Sequence, residues 1–343
     1  MKNVLFRVDA TPEIGAGHLI RCLALAQKLL KSGINPIFMT RTKKRFLLER
    51  IKQENIEICC VNKEINSIED SILLNEIADR KNAYWVVLDG YSFLNQEYQE
   101  AVIKNGKKLL CIDDLAENHF VCDAVINQNI FAKKLKYSCE SFTKLFLGTK
   151  YLLVEDEFRE LINWERPIST KAKNILVTLG ASSTYTTKVM LKICKAINLL
   201  KDSSLHVKVI QGFNFISPTE LNILKAQNNS TIEFLPFQYD ILNLMKWADI
   251  VITAAGSNLW KTILTYAPMM IFLVAENQRI IDDCLKEYNL ALVMGWAENV
   301  STNQISSDLQ DLINSNVKRN ELSSRCKTIV RKEFNIFDPK LIF

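Results

Sequence analysis

The sequence predicts an α/β protein made of two doubly wound, Rossmann-like domains with parallel sheets. Three observations carry that expectation. Strand-like and helix-like stretches alternate from one end of the 343 residues to the other. The strand-like runs are continuously apolar rather than alternating, the pattern of parallel strands covered on both faces. The rhythm then restarts after a polar, proline-containing stretch, which at roughly 100–200 residues per domain fits two domains.

In the first half, strands are read at 3–8, 35–39, 56–61, 84–88, 108–112 and 124–126, and helices at 18–31, 43–54, 68–80 and 95–104. In the second half, strands are read at 174–179, 205–210, 231–235, 249–252, 269–273 and 290–293. Helices fall at 185–200, 219–227, 240–247, 257–266 and 278–287, and a last one at 317–334 precedes a turn at Asp338–Pro339. Blocks such as "YWVVL" and "MMIFL" have strand composition, whereas apolar residues returning every three or four positions mark the helices. Trp85, Trp247 and Phe272 fall inside these periods and are expected in the core. The domains are placed at 1–155 and 170–343, on either side of "EDEFRELINWERPISTKAKN", where Pro167, Ser169 and Thr170 interrupt the pattern. The C-terminal helix is in a position to pack back on the first domain.

Composition narrows the function classes. Hydrophobic residues make up 48% and charged residues 24%, an ordinary soluble balance. The net charge of +5 suits an anionic small molecule and is too small to argue for nucleic acid. The densest basic cluster, "RTKKRF" at 41–46, reads as a solvated helix start. Nine cysteines are scattered without a Cys-x-x-Cys pair, and His119 and His206 are not spaced to complete a zinc set. Those two histidines are read as a loop and a strand residue. Cys22, Cys111 and Cys194 lie in apolar runs and behave as small buried hydrophobes. The unpaired count fits a reducing cytosol. The first residues read as a strand rather than a signal peptide, and no apolar run approaches roughly 18 residues. A cytoplasmic protein with a small-molecule partner, no nucleic acid and no membrane span is expected. Nothing specifies an oligomer, and a monomer is compatible with the sequence.

In open parallel sheets, ligands bind beyond the carboxyl ends of strands, where loops meet helix N-termini. Four groups stand there. The first is Gly15-Ala16-Gly17-His18, where glycines admit a close ligand and the helix start offers N–H groups to a diphosphate. His18 has the chemistry of a general base, and Arg21 lies one turn further on. The second is Ala254-Ala255-Gly256-Ser257-Asn258, a second small-residue loop before a helix. The third is the acidic set Asp9, Asp89 with Tyr91, and Asp113-Asp114, which suits sugar hydroxyls, the orienting of a base, or a metal. The fourth is the amide loops Asn127-Gln128-Asn129 and Glu276-Asn277-Gln278, which suit sugar or base recognition, or simply turns. The Gly-x-Gly-x-x-Gly redox fingerprint fails, because Ile20 stands at its third position.

Taken together, "VLFRVDATPEIGAGHLIRCLALA", "VVLDGY", "CIDDLA", "DAVINQN", "LGTKYLLVEDEF", "ILVTLGAS", "WADIVITAAGSNLW" and "AENQ" resemble one family in order and spacing, over about residues 1–290. It is the nucleotide-sugar hydrolase family of pseudaminic acid biosynthesis, which acts on UDP-2,4-diacetamido-2,4,6-trideoxy-β-L-altrose, with the related spore-coat polysaccharide proteins. The resemblance implies a GT-B-like fold, with a cleft between two Rossmann-like domains. It implies attack of water at the anomeric carbon with inversion, releasing UDP and a free amino-sugar, with no metal or organic cofactor. His18 matches the base that activates water, and Gly17 a residue near the diphosphate. Gly256 and Ser257 match the second phosphate loop, and Asn277 and Gln278 a motif near the sugar. The chain departs from the pattern at Lys261, where relatives carry an acid, and at Glu155, where they often carry arginine. Gly180-Ala181, with Ser182 and Ser183, replaces a Gly-Gly turn followed by an acid. These departures fall on the donor-binding half, so ribose or uracil recognition is expected to differ, or Lys261 to meet a phosphate. A sugar-transferring GT-B enzyme and a non-catalytic nucleotide-sugar-binding protein are the competing expectations.

Overall fold

The computed structural model describes residues 2–11, 14–62, 67–180, 184–212, 216, 231–238, 240–334 and 337–343. The helix read at 219–227 and the positions Ala181, Ser182 and Ser183 lie outside the described residues. The chain divides into two compact units. One comprises Met1–Thr11, His18–Glu155 and Glu333–Phe343, the other Pro12–Gly17 and Asp156–Lys332.

The first unit carries strands β1 (Asn3–Val8), β2 (Asn35–Thr40), β3 (Glu57–Cys60), β4 (Ala83–Asp89), β5 (Lys108–Ile112), β6 (His119–Phe120), β7 (Ala124–Asn127), β8 (Ser138–Cys139) and β9 (Lys144–Leu147). Seven of them form one sheet in the order β3-β2-β1-β4-β5-β7-β9, and every neighbouring pair is parallel. Helices α1 (Gly17–Lys31) and α2 (Arg45–Gln53) carry the chain from β1 out to β3. Helix α3 (Ile68–Arg80) then returns it to the other side of β1, and α4 (Gln96–Ile103) continues from β4 to β5. The strand order therefore reverses between β1 and β4, where a parallel sheet opens a crevice for ligands.

The helix alternation stops after β5. The connections to β7 and β9 run instead through β6 and β8, which pair with each other as His119↔Ser138 and Phe120↔Cys139. His119 therefore opens a short strand rather than lying in a loop, with Nδ1 2.8 Å from Ser138 Oγ. β9 was not legible in the sequence: it is a four-residue edge strand whose first two residues are exposed.

The second unit carries β10 (Asn174–Thr178), β11 (His206–Ile210), β12 (Thr231–Leu235), β13 (Ile250–Ala254), β14 (Met269–Leu273) and β15 (Leu292–Trp296). They form a second parallel sheet in the order β12-β11-β10-β13-β14-β15, with its own reversal between β10 and β13.

The central strands of each sheet are buried on both faces. In the first unit Leu5, Ile37, Val86, Leu88 and Leu109 pack with Leu74 and Ile77 of α3 and Val102 of α4. In the second, Ile175, Val177, Val207, Ile252 and Phe272 pack with Ile193 and Ile197 of the helix Thr184–Leu199. Each fully buried Leu or Ile contributes about 1.5–3 kcal/mol relative to exposure. Cys22, Cys111, Cys194, Trp85 and Phe272 are buried, but Trp247 is only half-buried, with the Lys208 ammonium 4.5 Å over its ring. A further helix, Thr302–Asn314, presents Ile305, Leu309, Leu312 and Ile313 to the second core.

Two arginines, Arg166 half-buried and Arg319 buried, fasten the segment before β10 within the second unit. Arg166 donates to the carbonyls of Thr265, Ala248 and Met245 at 2.6, 2.7 and 2.6 Å. Arg319 reaches the carbonyls of Ser169 and Thr170 at 2.7 and 3.0 Å. The segment Glu333–Phe343 belongs to the first unit, where Phe343 packs on Trp85 and Phe337 on Tyr151. Among the described residues no helix is long and apolar enough to cross a membrane.

Candidate active site

Because β1, β4 and β5 run parallel, their following acids are delivered to one edge of the sheet. Val8 is in register with Asp89, and Asp89 with Ile112. Asp9, Asp89, Asp113 and Asp114 thus line the end where β1 and β4 diverge. Helix α1 starts over the same end. His18 and Arg21, three residues apart, share one helix face.

Asp89 is completely buried, and its carboxylate organises the site. Arg21 places Nε on Asp89 Oδ2 and Nη2 on Asp89 Oδ1, both at 2.7 Å. His18 Nδ1 lies 2.6 Å from Asp89 Oδ1, and Cys22 Sγ donates to Oδ2 at 3.3 Å. Burial by itself would raise the Asp89 carboxyl, but the charge of Arg21 and the hydrogen bonds from Arg21 and His18 outweigh it and hold the group far below the usual carboxylate range. An ionised carboxylate only accepts, so Nδ1 of His18 carries the proton. Arg21 Nη2, 3.1 Å from the same nitrogen, is then a close neighbour and not a donor to it. The tautomer leaves Nε2 with its lone pair, the form of imidazole that accepts a proton.

Arg21 continues the chain on its other side. Its Nη1 donates to both oxygens of Asp114 at 2.9 Å. Burial again works against the Asp114 carboxylate and is overcome by Arg21, so that group is held low. Asn129 Nδ2 donates to Asp114 Oδ1 at 2.8 Å. Asn127 Oδ1 in turn accepts from the backbone N–H and side chain of Asn129 at 3.0 and 2.9 Å. Tyr91 lies edge-on to His18, ring centroids 5.3 Å apart, and its hydroxyl is 3.4 Å from Asp114 Oδ2. Asp113 differs from its neighbour: burial raises it, despite bonds from Ala116 N–H and the Tyr137 hydroxyl.

Of the first-half residues singled out in the sequence, His18, Arg21, Asp89 and Tyr91 therefore meet in one cluster. Asn127 supports that cluster from behind, buried and internally bonded. Asp9 is buried at the end of β1, where Oδ1 accepts from Arg7, Thr40 and the Arg41 N–H at 2.8, 3.1 and 2.6 Å. Gly15 is buried in the loop before α1, and Gly17 is the first residue of that helix. The parts played by Asp114 and Asn129 are tertiary facts. The sequence signalled them only as members of the strand-end acidic set and of the amide loop after 124–126.

In the second unit, Gly256 caps the helix Ser257–Leu264 without any side-chain bond, with Ala255 buried before it and Ser257 exposed. Asn258 Nδ2 donates to Thr178 Oγ1 at 2.9 Å, joining that helix start to the end of β10 across the strand reversal. Gly180 follows with φ +87°, a conformation that favours glycine. Gln278 is buried, and its Oε1 accepts from the Val274 N–H at 2.9 Å. Its amide nitrogen would lie 3.7 Å from a Cβ on Gly256. Asn277 is exposed on the short turn Glu276–Gln278. Lys261 is buried, its ammonium 5.4 Å from the Phe158 ring centroid. A helix start lined by small residues offers N–H groups to an anion. Among the described residues no group of His, Cys, Asp and Glu has the arrangement of a metal site.

No family model matches the chain. It is 27% identical over 293 residues to the uncharacterized protein MJ1062 of Methanocaldococcus jannaschii, covering 81% of this chain and 57% of that protein, so it spans little more than half of that relative. It is 25% identical over 287 residues to the UDP-2,4-diacetamido-2,4,6-trideoxy-beta-L-altropyranose hydrolase of Campylobacter jejuni, covering 80% of this chain and 93% of that protein. It is 22% identical over 318 residues to the spore coat polysaccharide biosynthesis protein SpsG of Bacillus subtilis, covering 90% and 88%. Among solved structures, MurG of Acinetobacter baumannii aligns with a TM-score of 0.65 at 16% identity, over 100% of this chain and 98% of that one. The MnaA–UDP structure of S. aureus aligns with a TM-score of 0.63 at 14% identity, over 94% and 91%.

Proposed function

We propose that this chain, a distant relative of the hydrolases of pseudaminic acid biosynthesis and of the spore-coat polysaccharide proteins, with the GT-B fold, hydrolyses a nucleotide-linked sugar in glycan biosynthesis. Water attacks the anomeric carbon on the face opposite the diphosphate. The bond from that carbon to the diphosphate oxygen breaks, and its electron pair leaves with the nucleoside diphosphate, UDP by resemblance. Nε2 of His18 takes the proton from the attacking water, and the sugar is freed with inverted configuration.

The observation that carries this reading is the 2.6 Å contact between His18 Nδ1 and the buried carboxylate of Asp89. It fixes the tautomer that leaves Nε2 basic. It also places a full negative charge against the imidazolium that forms as the proton arrives, the role a buried aspartate plays behind a catalytic histidine.

The test is release of nucleotide from a panel of UDP- and other nucleotide-linked sugars without any acceptor, for the wild type and His18→Ala. Release that falls by about a hundredfold to ten-thousandfold in the variant supports hydrolysis with His18 as base. Release that needs an added acceptor hydroxyl points to transfer instead, and tight binding without turnover to a binding protein. A variant as fast as the wild type removes His18 from the chemistry.

A further inference from the structure

The chain His18–Asp89–Arg21–Asp114 sets two carboxylates against one guanidinium, so with a neutral imidazole it holds one surplus negative charge. Only part of it meets solvent. The Asp89 side chain is 0% exposed and that of Arg21 7%, against 11% for His18 and 17% for Asp114. Tyr91, 38% exposed, completes the open face, its ring against His18 and its hydroxyl toward Asp114. A molecule that reaches Nε2 of His18 meets Tyr91 and Asp114 next.

The two oxygens of Asp114 are unequally supplied. Oδ1 accepts short bonds from Arg21 Nη1 and Asn129 Nδ2, at 2.9 and 2.8 Å. Oδ2 shares the same Nη1 and otherwise has only the long 3.4 Å approach of the Tyr91 hydroxyl. A carboxylate oxygen takes two good donors, so Oδ2 has room for one more short bond. Arg21 has little capacity to hold an anion, because four of its five N–H groups donate into the cluster. The charge balance and the open acceptor therefore select the same kind of ligand group.

We infer that Asp114 and Tyr91 form a sugar-specificity subsite beside His18. It accepts a hydroxyl or amide N–H of an uncharged sugar and rejects a sugar that carries a carboxylate. The inference rests on the nucleotide-sugar reading above. A ligand carboxylate held within about 6 Å of the surplus charge is repelled enough to weaken binding more than tenfold, even at the high effective dielectric of a partly exposed site.

The measurement is calorimetric binding of UDP, UDP-glucose and UDP-glucuronate to the wild type, Asp114→Asn and Tyr91→Phe. UDP-glucose and UDP-glucuronate differ only in the carboxylate, and UDP alone reports whether each variant is intact. The wild type is expected to bind UDP-glucose at least about tenfold more tightly than UDP-glucuronate. Asp114→Asn is expected to shrink that ratio to about threefold or less, with UDP affinity unchanged, and Tyr91→Phe to weaken UDP-glucose but not UDP. A wild type that binds the two sugars equally, or an Asp114→Asn protein that keeps the full ratio, overturns the subsite while leaving the nucleotide-sugar reading in place. Failure of all three ligands to bind the wild type removes that reading, and the subsite with it.

Discussion

Arg21 turns Nε and Nη2 onto the two oxygens of Asp89, each at 2.7 Å, and so grips the carboxylate that holds His18. Planar two-point pairing of this kind fixes both distance and plane. An arginine that its place one turn beyond His18 made a candidate for substrate binding is committed to the protein itself.

Arg21→Met tests that commitment. It leaves two largely buried carboxylates without their cation and is expected to cost about 3–5 kcal/mol of stability at pH 7, read by urea denaturation. The pH dependence carries the sign. In the wild type Asp89 is held below its unfolded value, so its contribution is complete above about pH 4 and is lost only as pH falls well below that. In Arg21→Met, burial is opposed only by the remaining hydrogen bonds from His18, Cys22 and Asn129 and raises the buried carboxyls. The variant should therefore recover stability between pH 7 and pH 5, where the wild type gains none from this group.

Asp89→Asn preserves shape and removes charge. The amide can present its N–H to Nδ1 of His18, which favours the tautomer whose Nε2 carries the proton. Nucleotide release should fall by about a thousandfold or more while binding of UDP is little altered. Rates within tenfold of the wild type would mean that the Asp89 contact is structural only.

Gly90 follows Asp89 with φ +132°, and a Cβ there would stand 3.3 Å from the Phe93 ring. Gly90→Ala meets backbone strain and a crowded aromatic together, and about 1–3 kcal/mol of destabilisation is expected from thermal unfolding. Because the strain falls one residue from the carboxylate, nucleotide release should drop further than the stability loss alone accounts for.

Arg166→Lys keeps the charge but cannot reach the carbonyls of Thr265, Ala248 and Met245 at once. A loss of about 2–4 kcal/mol is expected in denaturant unfolding, from carbonyls left without their charged donor. Unchanged stability would show that water replaces the guanidinium there.

Much of the architecture was legible because parallel strands are buried on both faces and so declare themselves as apolar blocks. β1, β5, β12 and β14 were read with the limits they have in the fold. What escaped reading is equally physical. The edge strand β9 is half-exposed and follows no helix, so neither its composition nor its place in the rhythm marks it. Thr302–Asn314 buries Ile305, Leu309, Leu312 and Ile313 among polar neighbours, a helical spacing diluted by "SSDLQD". Its cap, the Ser301 side chain accepting from Gln304 N–H, was the better signal.

The candidate site was legible in a different degree. Asp89 and Tyr91 could be proposed from their place after a strand, and His18 from the start of a helix. That Arg21 joins them to Asp114, and Asn129 to that aspartate, depends on side chains from α1 and from the ends of β4, β5 and β7 converging in space. No spacing within one element encodes that. Asn127 shows the opposite error of emphasis: an amide well suited to a ligand is instead occupied by Asn129 and Tyr137.

The segment Glu333–Phe343 closes the first unit only after the whole second unit has been threaded between. In the order of synthesis, Trp85 and Tyr151 emerge long before Phe343 and Phe337, the rings that cover them. On the ribosome the first unit therefore waits with uncovered aromatic faces. A stalled nascent chain that stops short of residue 333 exposes these faces however well its sheet has formed.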